Sequence, residues 1–209
     1  SIESPLAAVV RDYPIQSMNV VAHIRKATQG DICLQNTHPF QRELWGRYWV
    51  FAHNGNLIDF NPELSGRYLP VGNTDSERAF CFLLDTLALR FGAKAPSYEH
   101  LMDTMAEVAA VLRAHGPANF LLSNGRWLIA HCSTDLHYIV RRAPFNQAHL
   151  KDEDVSIDFN EVTSDTDCVT VIATTPLTDN EQWTRIEPGT LILFRAGEPV
   201  EVRQPDQAG

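Results

Sequence analysis

The clearest pattern along the chain has a helical period. Phe80, Leu83, Leu84, Leu87 and Phe91 recur at three- and four-residue steps, which places them on one face of a helix. Thr74 and Glu77 stand just ahead of them at the T-x-x-E spacing of a capping box, so this helix is predicted to start after Thr74. A second stripe of Leu101, Met105, Val108 and Leu112 follows Ser97, a suitable N-cap, and stops at Gly116-Pro117. Near the start, Ser4-Pro5 has the form of an N-cap with proline at the first helical position, predicting a short helix through Val10.

Elsewhere the pattern shortens to that of strands. Met18 to Ile24 and Tyr48 to Ala52 are compact apolar runs between polar neighbours, as buried strands are. Asn119 to Leu122 and Trp127 to His131 flank Asn124-Gly125, a two-residue hairpin signal. Leu136 to Arg141, Cys168 to Ala173 and Leu191 to Phe194 read as further strands, and the acidic, aperiodic Lys151 to Asp167 as a surface loop. Strands, then two helices, then strands again predict an α+β layered domain of antiparallel sheets covered by helices.

Bulk properties narrow the classes. The 209 residues fit a single domain, and neither an internal repeat nor a low-complexity tract interrupts them. A composition of 44% hydrophobic and 21% charged residues is that of a globular protein. The net charge of −9 argues against nucleic acid as a partner, since phosphate binding needs clustered cations. No apolar run reaches the roughly 18 residues of a membrane helix, so no membrane partner is expected. Cys33, Cys81, Cys132 and Cys168 are scattered, which suits free thiols in a reducing, cytoplasmic compartment.

Polar residues of unusual type gather at the predicted strand ends, where functional sites tend to lie. They are His23 to Gly30, Asn36 to Phe40, His53-Asn54-Gly55 and Asn73 to Glu77. Each segment taken alone has an ordinary structural explanation. Arg25 reads equally as a solvated charge, and His38 before Pro39 as a hydrogen-bonded core histidine. Asn54-Gly55 has the form of a type I′ turn, like Asn124-Gly125, and Asp75 that of a carboxylate complementing a helix N-terminus.

In order and spacing, however, the four segments resemble the class II (N-terminal nucleophile) glutamine amidotransferases. Arg25 to Gly30 is similar to that family's R-x-A-T-x-G turn and Asn36 to Phe40 to its N-x-H-P stretch. His53-Asn54-Gly55 looks like its H-N-G signature, and Asn73 to Glu77 like its T-D-S/T-E helix start. Leu122 to Arg126 and Val171 to Leu177 extend the likeness over most of the chain, which is closest to the small stand-alone bacterial members of YafJ-like type.

The resemblance implies a four-layer αββα sandwich and a single domain over residues 1–209, incomplete at its N-terminus. It also implies glutamine as substrate, no cofactor and no metal. Free glutamine is a zwitterion, and the resemblance gives Arg25 its α-carboxylate and Asp75 its α-ammonium. A guanidinium fork suits the former. Asn54 and the Gly55 N–H become the oxyanion donors, while Thr28 and His38 shape the pocket.

The family's nucleophile is an N-terminal cysteine whose own α-amine acts as base, a group titrating near pH 8. Here Ser1 leads into a helix entrance, and Ser1 to Ser17 itself resembles an internal family segment. None of the four cysteines replaces the nucleophile by similarity. The cysteine is therefore expected upstream of Ser1, and the 209-residue fragment is expected to be inactive alone.

Two other readings compete. A catalytically inactive glutamine-binding or regulatory module would keep Arg25 and Asp75 as well. A zinc hydrolase using His23, His38 and His53 has a spacing that matches no common zinc pattern. The ammonia acceptor or synthetase partner is not visible in these residues, and a homodimer stays open.

Overall fold

The computed structural model describes residue 13 and residues 17–23, 33–145, 147–151, 156–158 and 164–205. The expected helix at Ser4 to Val10, and the Arg25 and Thr28 positions, lie outside them.

The main sheet begins with a tight hairpin. Strand β1 (Phe40–Leu44) pairs antiparallel with β2 (Arg47–Gly55), Leu44 facing Arg47 across only two turn residues. Both of these have positive φ, Trp45 at 56° and Gly46 at 72°, as a type I′ turn requires. A tryptophan tolerates that conformation because its surroundings fix it. Its Nε1 donates to Gly92 O at 2.9 Å, and its ring meets Trp49 edge-on at 5.7 Å.

Helices α1 (Asp75–Phe91) and α2 (Tyr98–His115) start where their caps predict. Glu77 N donates to Thr74 Oγ1 at 3.2 Å and His100 N to Ser97 Oγ at 3.4 Å. Both then lay their apolar stripes on one face of the sheet. Phe80, Leu83, Leu84, Leu87, Met102, Met105 and Leu112 are fully buried against Trp49, Phe51, Phe120, Leu122 and Ile129. At about 1.5–3 kcal/mol for each large apolar side chain removed from water, this face dominates the stability of the domain.

After α2 the chain returns to the sheet through β3 (Ala118–Ser123) and β4 (Leu128–His131). Strands β5 (His137–Arg142), β6 (Gln147–His149), β7 (Ser156–Asp158), β8 (Cys168–Ala173) and β9 (Thr184–Arg185) follow. Finally β10 (Leu191–Arg195) and β11 (Glu198–Arg203) complete the main sheet in the order β1-β2-β3-β4-β10-β11, every neighbour antiparallel.

Strands β4 and β10 are apolar on both faces, and alternation divides their side chains between two cores. Ile129, Leu191 and Leu193 face the helices. Leu128, Ala130, Ile192 and Phe194 form a second core with Cys132, Leu136 and Ile186, against which Tyr138 of β5 and Ile172 of β8 pack. The small sheet β8-β5-β9 is thus a third layer on the side opposite the helices. The antiparallel α+β architecture is as expected, with a helix–sheet–sheet order; a second helical layer is not among the described residues.

Three local expectations need correction. Met18 to His23 form no strand, and Met18 and Val20 are exposed. An apolar run becomes a strand only where a neighbouring backbone pairs with it, and no described strand does so here. The Asn124-Gly125 connection is a four-residue loop, since Ser123 pairs with Leu128. It is closed by Ser123 Oγ, which accepts from Gly125 N and donates to Trp127 O. Within the supposed loop Lys151 to Asp167, Ser156–Asp158 pairs with Gln147–His149.

Candidate active site

Three of the candidate site residues lie where β2 runs out beside the start of α1. Asn54 and Gly55 are not a turn. They are the last two residues of β2, paired with Asn119 and Ala118 of β3. Side chains alternate there: His53 is buried towards the helices, while Asn54 is exposed on the opposite face. Strand β1 ends at Phe40, opposite Phe51, so past that point no described strand lies along the outer edge of β2.

Gly55 tolerates no side chain in this position. A Cβ would stand 1.8 Å from Pro117 O and 2.7 Å from His53 Nε2. That close approach lets Asn56 N donate to Pro117 O at 3.2 Å, closing the strand end against the start of β3. An Asn-Gly pair therefore serves here as a strand terminus in tight contact, for which Asn-Gly hairpin statistics give no warning.

Asp75, the first residue of α1, is half-buried and reaches across to this strand end. Its Oδ2 accepts from Leu57 N at 2.7 Å, which straps the segment after β2 to the helix N-terminus. The neighbouring Ser76 Oγ lies 2.8 Å from His53 Nδ1, and His53 Nε2 lies 3.3 Å from Pro117 O. Burial lowers the His53 pKa and so favours the neutral ring, opposed by the Asp75 carboxylate and the Pro117 carbonyl and assisted by His23. His38 is half-buried, its ring 4.2 Å from His23 and 4.6 Å from Phe40.

A second set of bonds fixes the loop leading into α1. Buried Asn36 gives its Nδ2 to Asn73 Oδ1 at 2.8 Å and takes Asn73 N on its Oδ1 at 3.1 Å. Glu77, also buried, accepts from Val71 N and Gly72 N and pairs with Arg42 at 2.5 Å. Gly72 is required for this closeness, because a Cβ would meet Asn36 Oδ1 at 2.3 Å. The capping box is thus only half of the expected one. Glu77 turns to the preceding loop and Arg42 rather than back to Thr74.

Of the predicted site residues, then, Asn54, Gly55 and Asp75 come together around the Gly55–Leu57 backbone, with His38 placed in the His23 cluster. Arg25 and Thr28 fall outside the described residues. Sequence reasoning missed Asn119, the Ser76–His53 contact and the bonds of Glu77 to Val71, Gly72 and Arg42. Asn119 did carry a signal, an amide inside an otherwise apolar strand.

Three cysteines are poor nucleophiles where they stand. Burial pushes the Cys81 thiol up to about 11 and raises Cys132, and Cys168 is raised by burial and by Glu198. Cys33 is half-buried at the N-cap of a 3-10 turn, Leu34–Asn36. Among the described residues, no three His, Cys, Asp or Glu side chains are grouped to hold a metal ion. No helix among them is long and apolar enough to cross a membrane.

The whole chain, residues 1–209, matches the family described as glutamine amidotransferases class-II. It is 52% identical over 200 residues to YafJ of Escherichia coli, assigned to the glutamine amidotransferases; the match spans 96% of this chain and 78% of YafJ. A Haemophilus influenzae protein with the same assignment is 50% identical over 198 residues, 94% of this chain and 67% of its own. A 2.0 Å crystal structure of a Pseudomonas aeruginosa protein, predicted to be a glutamine amidotransferase, superposes with a TM-score of 0.74 at 50% identity. That superposition covers 80% of this chain and 66% of the other, so the chain spans just under two thirds of that relative's length. The chain belongs to the class II glutamine amidotransferases.

Proposed function

We propose that this domain hydrolyses the side-chain amide of glutamine to glutamate and ammonia through a cysteine thioester, the cysteine lying upstream of Ser1. The thiolate sulfur bonds to the amide carbon and the carbonyl electrons move onto oxygen. The oxyanion then collapses, ammonia leaves after protonation, and water cleaves the thioester. The cysteine's α-amine takes the thiol proton and passes it to the leaving nitrogen.

Asn54 and the Gly55 N–H stabilise the oxyanion, a contribution on the order of 10²–10³ in rate for one donor. Arg25 holds the α-carboxylate and Asp75 the α-ammonium, with Thr28 and His38 shaping the pocket. No cofactor enters this scheme, which ends at glutamate and free ammonia.

The observation that carries this reading is the strand character of Asn54-Gly55. The ordinary alternative, a type I′ turn, is removed by their pairing with Asn119 and Ala118. The pair instead presents an exposed amide and a backbone N–H beside a carboxylate that faces the same backbone.

Ammonia release from glutamine, measured on the complete protein and on the 209-residue chain, tests the proposal. Activity is expected only with the cysteine-led segment present. Turnover by the 209-residue chain, abolished by Ser1→Ala, would give the nucleophile to Ser1 instead. Glutamine binding without turnover by the complete protein would favour a regulatory module.

A further inference from the structure

Resting on the oxyanion-hole reading above, we propose that Asn119 is the positioning residue of that hole, aiming the Gly55 N–H through the peptide it shares with Asn54. Asn119 is 5% exposed and sits directly across from Asn54 in the β2–β3 ladder. Its side-chain amide uses both ends. Nδ2 donates to Asn54 O at 3.2 Å and to Thr134 Oγ1 at 2.8 Å. Oδ1 accepts from Ser133 N at 2.8 Å and Thr134 N at 3.0 Å. The Ser133-Thr134 backbone therefore fixes the amide plane, and the fixed amide holds the Asn54 carbonyl.

The consequence follows from peptide geometry. Asn54 C=O and Gly55 N–H belong to one planar unit, and the two cis peptides described are elsewhere, at His38-Pro39 and Ala143-Pro144. In a trans peptide the N–H points opposite to the C=O. A carbonyl held towards β3 therefore turns the Gly55 N–H outward, to the side where β1 has already ended at Phe40.

The ladder weakens one rung further on, because Pro117, across from Asn56, has no N–H to give. Asn119 Nδ2 adds a side-chain donor to the Asn54 carbonyl on the last rung able to bond in both directions. A donor off by a few tenths of an ångström or a few tens of degrees still binds glutamine but stabilises the oxyanion poorly.

The test is Asn119→Asp in the complete, cysteine-bearing protein, with Thr134→Val and Asn54→Ala beside it. The Asp variant keeps the shape and the acceptor for Ser133 N and Thr134 N, but replaces the donor to Asn54 O with an oxygen. Thr134→Val removes the other partner of Nδ2 and leaves Asn54 alone. Steady-state ammonia release and melting temperature are measured for each, with Asn119→Ser as a second variant if Asp does not fold.

The expected result is a kcat lowered roughly 10- to 100-fold in Asn119→Asp with the KM for glutamine within about twofold, a fraction of what loss of a whole donor costs. Thr134→Val is expected to lower the melting temperature and keep kcat. If Asn119→Asp and Thr134→Val both lose stability and both keep kcat, Asn119 is structural and the inference is overturned. If Asn54→Ala itself leaves kcat unchanged, the oxyanion reading fails, an outcome distinct from failure of the positioning role alone.

Discussion

His131 offers a test of the packing that needs no enzymatic activity. Its ring is fully buried in β4, tilted against Phe120 at a centroid distance of 5.0 Å, with Nδ1 3.2 Å from Thr190 O. Burial pushes its pKa down from 6.5 to about 4. The unfolded chain therefore takes up the proton more readily than the folded one between pH 6.5 and 4. The stabilisation is fully present above pH 6.5 and is lost as pH falls through about 4. At 1.36 kcal/mol per pH unit this single group withdraws about 3 kcal/mol of folding free energy over that interval.

His131→Leu removes the titrating ring and strands no carbonyl, since Thr190 O still accepts from Cys132 N. Urea unfolding of parent and variant at pH 7.5, 5.5 and 4.0 isolates the effect, because His53 and the carboxylates cancel in the difference. The parent's free energy is expected to fall by about 3 kcal/mol more than the variant's between pH 7.5 and 4.0. Curves that stay parallel would falsify the claim that His131 is buried neutral.

Three further outcomes follow from particular contacts. Gly55→Ala places a carbon 1.8 Å from Pro117 O, so the strand end must shift; a loss of about 1–3 kcal/mol by chemical denaturation is expected, and an unchanged midpoint would refute the close approach. Thr74→Ala removes the acceptor for Glu77 N and is expected to cost about 1 kcal/mol of stability, a loss that Thr74→Ser should largely restore. Arg25→Lys in the complete protein keeps the charge but not the fork, so KM for glutamine is expected to rise with kcat little changed; an unchanged KM would take the carboxylate away from Arg25.

What the sequence revealed of this fold was mostly what local chemistry encodes. Thr74, Ser97, Gly116 and the two apolar stripes state both helices, because caps and 3.6-residue periodicity act over a few residues. Pairing is not local. Met18 to His23 have the apolar content of a strand but no described partner strand, while the Trp45-Gly46 turn gave no signal because its φ values are stabilised by Trp49 and Gly92.

The two Asn-Gly pairs show the same limit. Their letters are identical, yet one ends a strand and the other sits in a four-residue loop, decided by Asn119, Pro117 and Ser123 elsewhere in the chain. The candidate site residues were legible through their resemblance to a family. The amide that holds them from behind was not, because its partners Ser133 and Thr134 approach only in the folded molecule.

In the proposed function Asn54 and Gly55 serve an oxyanion and not a turn. Its most direct test is steady-state ammonia release from glutamine by the complete protein, parent against Asn54→Ala. The expected result is a KM within about twofold and a kcat lower by roughly 10²–10³, or about 2.7–4 kcal/mol of barrier, because the oxyanion exists only after attack has begun. A kcat equal to the parent's, with only the melting temperature reduced, would contradict it and return Asn54 to an ordinary strand end.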